Sequence, residues 1–72
     1  MADAPVSELA AARERKGLRQ ADVAKDLGVT QATISNWETG AAVPHPSKWN
    51  RIVEVYGISF RRLAEHCGAA AS

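Results

Sequence analysis

A single cysteine, Cys67, stands in a chain of 72 residues, and neither a C-x-x-C pair nor a Cys/His ligand spacing accompanies it despite the neighbouring His66. An internal disulfide and a zinc module are thereby excluded, and a reducing cytoplasm is the expected home. Long apolar runs are missing as well, with no segment near the roughly 18 residues that a membrane span requires. The opening Met1-Ala2-Asp3-Ala4-Pro5 carries no basic stretch ahead of an apolar one, so neither export nor insertion is expected. Strand-like alternation, repeats and low-complexity tracts are absent apart from the alanines after Gly68. Charge of one sign is scarce too: the net +1 does not by itself point to a polyanionic partner. There is no Gly-rich phosphate loop, no metal spacing and nothing that sets a nucleophile beside a base, so catalysis and a cofactor are not expected.

A chain this short buries about 60% of the surface that it exposes when unfolded, which allows one domain and no substrate cavity. At 46% hydrophobic and 24% charged, it has the composition of an ordinary folded protein. Glycines at 17, 28, 40, 57 and 68 cut it into short pieces, each ending where a helix favours a residue at positive φ. The first piece, Pro5 to Lys16, is rich in helix formers, with Val6, Leu9, Ala10 and Ala12 available for a buried stripe. Val23, Ala24 and Leu27 share one face of a second helix over Gln20 to Leu27. Thr30 can cap a third over Gln31 to Thr39, whose inner side is marked by Ile34 and Trp37. After a loop over Ala41 to Pro46, Ser47 is expected to cap a fourth helix running to Tyr56, with Trp49, Ile52, Val53 and Tyr56 inward. Ser59 is expected to cap a short fifth helix whose Phe60, Leu63 and Ala64 complete the core. The pattern predicts an all-α, compact five-helix domain over residues 5–67, with tails at 1–4 and 68–72. Helices this short need mutual packing to persist, and the rings of Trp37, Trp49, Tyr56 and Phe60 are expected to supply much of the buried area.

Two features carry function. Four of the nine cations, Arg13, Arg15, Lys16 and Arg19, cluster ahead of the second helix, a local basic patch of the sort that meets phosphates. The second is the stretch Gln20-Ala-Asp-Val-Ala-Lys-Asp-Leu-Gly-Val-Thr-Gln-Ala-Thr-Ile-Ser-Asn-Trp-Glu-Thr39. It reads as two short helices at a tight turn: Ala24 permits close approach, Gly28 takes the turn conformation, and Ile34 plugs the angle between them. A solvated helix usually carries Lys and Glu, whereas the polar face of the third helix has neither until Glu38.

That spacing resembles the helix-turn-helix unit. With Gly17-Leu18-Arg19-Gln20 before it, Ile34-Ser-Asn-Trp-Glu-Thr-Gly40 within and after it, and Tyr56-Gly-Ile-Ser-Phe60 near the end, the chain is similar to the Cro/lambda-repressor (XRE) family from about Leu9 to Leu63. The resemblance implies a lambda-repressor-like fold whose third helix lies in the major groove of double-stranded DNA. It implies base contacts from Thr30, Gln31, Ala32, Thr33 and Ser35, with Gln31 foremost, and phosphate contacts from Arg19, Gln20, Asn36 and Lys48. Gln and Asn amides suit adenine and the methyls of Ala32 and Thr33 suit thymine, while the helix offers no Arg for guanine, so A·T pairs are expected at the centre of the site. Arg13 and Glu38 match family positions that form a structural ion pair.

Two departures stand out. Arg19 replaces the Ser or Thr common before the glutamine, losing an N-cap worth about 1 kcal/mol but adding a cation. The loop Ala41-Ala-Val-Pro-His-Pro46 lacks the usual Lys or Arg, which implies a shallow salt dependence; lone His45 reads as a bystander. A role as a repressor or switch protein of a phage or mobile element is expected, acting as a weak homodimer formed mainly on DNA, with pairing through the last helix or the surface from Lys48 to Arg62. An antitoxin or other protein-interaction module on the same fold is the alternative, favoured by the apolar loop.

Overall fold

The computed structural model describes residues 7–71. Along it run α1 (Glu8–Arg15), α2 (Gln20–Leu27), α3 (Gln31–Thr39), a single 3-10 turn (Pro46–Lys48), α4 (Trp49–Tyr56) and α5 (Phe60–Ala71), with no strand among the described residues. The class is the all-helical one expected.

Local chemistry sets most of the boundaries. The Ser7 hydroxyl accepts the Ala10 amide at 2.9 Å and starts α1, so this helix begins at Glu8 and not at Pro5; Pro5 and Val6 lie outside the described residues. Thr30 does the same for α3, accepting the Thr33 amide at 3.1 Å. At the end of α2, Gly28 takes φ 71°, its amide donates to the Lys25 carbonyl and the Val29 amide donates back to Ala24 at 2.9 Å. This 6→1 and 5→2 pairing satisfies carbonyls that would otherwise be orphaned. It also swings Val29 back onto the core, and α3 leaves at an angle.

Three expectations need correction. Ser47 is not a cap: the His45 ring nitrogen Nδ1 accepts the Ser47 amide at 3.1 Å and opens the 3-10 turn that precedes α4. Gly68 does not end α5, which continues to Ala71, because glycine inside a helix costs only about 1 kcal/mol against alanine. Phe60 is 50% exposed and Ala64 is exposed, since the buried face of α5 is the i, i+4 pair Leu63 and Cys67.

The core is Leu9 and Ala12 of α1, Val23 and Ala24 of α2, Ile34 and Trp37 of α3, Ile52, Val55 and Tyr56 of α4, and Leu63 and Cys67 of α5. Ala10, Leu27, Trp49 and Val53 are half-buried around it. Of the four large rings, then, Trp37 and Tyr56 are enclosed while Trp49 and Phe60 lie at the edge, tilted at 41° with centroids 6.5 Å apart. The Trp49 indole donates to the carbonyl of the buried Pro44 at 3.0 Å, which pins the loop between α3 and α4.

Candidate nucleic-acid interface

Ile34, Trp37 and Glu38, at i, i+3 and i+4, turn the back of α3 into the protein. Ala32 and Asn36 point outward on the opposite face and are exposed, Thr30 and Gln31 are exposed because they lie at the free N-terminal end of the helix, and Thr33 and Ser35 are half-buried at its flanks. This surface is uncharged, ending in amides, hydroxyls and a methyl. The hydroxyls of Thr30 and Thr33 bond each other at 2.9 Å, so both are engaged in the cap. Gln31 and Ala32 stand at the first turn beyond it, where a helix can enter a groove end-on.

A buried carboxylate fixes how α3 is held. Glu38 is 4% exposed, and its two oxygens take hydrogen bonds from Arg13 Nε at 2.8 Å and Nη2 at 3.1 Å, Gln20 Nε2 at 3.1 Å and Tyr56 Oη at 2.8 Å. Arg13 also donates to the Leu18 carbonyl at 2.9 Å. Four helices thus meet on one side chain of α3. Burial alone would push the Glu38 carboxyl up, but the bonds from Arg13, Gln20 and Tyr56 outweigh it and hold the group below the usual carboxylate range. The Tyr56 phenol is driven well up by burial and by its bond to the carboxylate. Arg13 is raised by its bond to Glu38.

The residues expected at phosphates are differently placed. The Arg19 side chain is 89% exposed, and its amide is taken by the Asp22 carboxylate at 2.9 Å, which replaces part of the missing cap. Gln20 is half-buried and turned toward Glu38, so one of its amide hydrogens serves the interior. Asn36 and Lys48 are exposed. The basic patch ahead of α2 is thinner by one than its sequence suggests, because Arg13 is paired with Glu38. Arg15, Lys16 and Arg19 remain exposed, with Lys16 Nζ donating to the Val55 carbonyl at 3.1 Å.

Tyr56 was missed as a polar residue: within a helical stripe a tyrosine reads as one more apolar position, and the need of its buried hydroxyl for a partner was the available signal. His45 was missed as a cap because its ring nitrogen accepts only in the right tautomer, which spacing does not reveal. Among the described residues no three His, Cys, Asp or Glu side chains gather to hold a metal ion, and no helix is long and apolar enough to cross a membrane.

A family model described as a helix-turn-helix domain matches residues 6–66. No curated protein and no solved structure matches the chain significantly.

Proposed function

As the chain belongs to the helix-turn-helix domain family, we propose that it is a cytoplasmic, non-catalytic transcriptional regulator that binds double-stranded DNA sequence-specifically. The finer reading is a repressor or switch protein of the phage or mobile-element kind, in the Cro/lambda-repressor class. The observation that carries it is the uncharged exposed surface of α3, with Gln31, Ala32 and Asn36 exposed, backed by a helix locked from behind through Glu38. In this reading α3 enters the major groove and α2 crosses the backbone. Thr30, Gln31, Ala32, Thr33 and Ser35 meet base edges, and Arg19, Gln20, Asn36 and Lys48 meet phosphates. A good paired contact from the Gln31 amide is worth about 1–3 kcal/mol of discrimination.

Two copies pair on a near-palindromic site, because joined half-sites multiply weak contacts. The half-exposed Phe60, beside Trp49, lies in the region from Lys48 to Arg62 and is the apolar feature best suited to that pairing. Selection of bound sites from random duplexes is the test. Enrichment of a two-fold site with A·T pairs at its core is expected; no enrichment at moderate salt, or guanines opposite Gln31, would overturn the corresponding part of the reading.

A protein-binding role on the same fold is supported by the loop after α3, where Val43 is 43% exposed between Ala42 and the buried Pro44. A salt-dependent gel shift with labelled duplex separates the two readings.

A further inference from the structure

The end of α3 is held by a residue far along the chain. His66 of α5 is partly buried, with Nε2 2.6 Å from the Trp37 carbonyl oxygen. A carbonyl can only accept, so Nε2 carries the hydrogen, which fixes the donor end of the ring. Trp37 is in the last turn of α3 (Gln31–Thr39), where carbonyls have no partner within the helix. The carbonyl before it, Asn36, is taken by the Ala42 amide at 3.1 Å. The C-terminal turn of α3 is thus tied to the following loop on one side and to α5 on the other.

Helix geometry amplifies what happens there. Nine residues at 1.5 Å each make α3 about 13 Å long, so a rotation of about 5° about its far end displaces the first turn by about 1 Å. A recognition contact tolerates about 0.5 Å. Gln31 and Ala32 stand at the moving end.

We propose that His66 is a positioning residue for DNA recognition: through the Trp37 carbonyl it sets the tilt at which α3 presents Gln31 and Ala32. The proposal rests on the reading of α3 as the helix that meets DNA. His66 acts through α3, not by touching the duplex, so α5 takes part in recognition from behind.

The test uses the full chain with a duplex chosen by the selection above, at a temperature where circular dichroism shows every variant folded. The glutamine side chain places its NH2 near where histidine places Nε2, whereas asparagine places it near Nδ1. His66→Ala should therefore weaken binding by roughly three- to tenfold, the size of one ordinary hydrogen bond. His66→Gln should restore most of that, and His66→Asn should not. The dependence on salt should be the same in all four proteins, because no cation leaves a phosphate. Binding of His66→Ala equal to wild type, whatever its melting temperature, overturns the proposal, as does a shallower salt slope, which would mean direct phosphate contact. Failure of the wild-type chain to bind any duplex is a different result: it removes the DNA-binding reading and this inference with it.

Discussion

Glu38 is acceptor to four hydrogen bonds from three side chains, and breaking such a set leaves a charge buried without compensation. Arg13→Ala or Glu38→Ala should each lower the unfolding free energy by about 3–5 kcal/mol, a large share of the roughly 5–15 kcal/mol that a small domain possesses. Urea unfolding measures it. The pH dependence follows from the same cluster. Because folding lowers the Glu38 pKa, its contribution is fully present above the unfolded value of about 4.3 and is lost as pH falls through the folded value. Because folding raises the Tyr56 pKa, that contribution is complete below about pH 10 and declines as pH rises beyond it. Unfolding free energies measured across pH should therefore fall at both ends, with the acid limb flattened in Glu38→Gln and the alkaline limb in Tyr56→Phe. Pairing of Arg13 with Glu38 was legible through the family resemblance. That Gln20 and Tyr56 join them was not, since nothing near either residue in the chain indicates what it will face.

The α2–turn–α3 unit was readable almost residue by residue, because its determinants are local. Gly28 sits at φ 71° with open space where a Cβ would go, so Gly28→Ala meets no clash and suffers backbone strain alone, about 1–2 kcal/mol. Thr30→Ala, which removes the acceptor for the Thr33 amide, should cost about 1 kcal/mol. Both losses appear in thermal unfolding, and the two should add to within about 0.5 kcal/mol if turn and cap act independently. The 3-10 turn and α5 were less legible. His45 does a cap's work with a ring, and Gly68 is carried through a helix whose following alanines are strong helix formers.

Across the assembled protein the net charge is only +1, so binding should depend on salt less steeply than that of a strongly basic domain. If Arg19 and Lys48 are the two cations at phosphates, log Kd against log salt should have a slope of about 2 per protomer, or about 4 for a pair, between 50 and 200 mM salt. Much steeper dependence would show that Arg15 or Arg51 also takes part. Phe60→Asp should abolish cooperative binding to two half-sites while leaving affinity for a single half-site nearly unchanged, because the ring is at the edge and half exposed. Titrations of paired and single half-sites check this directly.

The bounds of α2 and α3, the capping threonine, the turn glycine between them and the uncharged exposed surface of α3 all follow from interactions spanning three or four residues, and they could be read along the chain. Packing chose which of the clustered cations stay outside, brought Gln20 and Tyr56 to one carboxylate, left Phe60 at the surface and set His66 against the end of α3. These outcomes depend on how helices distant in sequence cross, and a side chain's near neighbours hold no record of that.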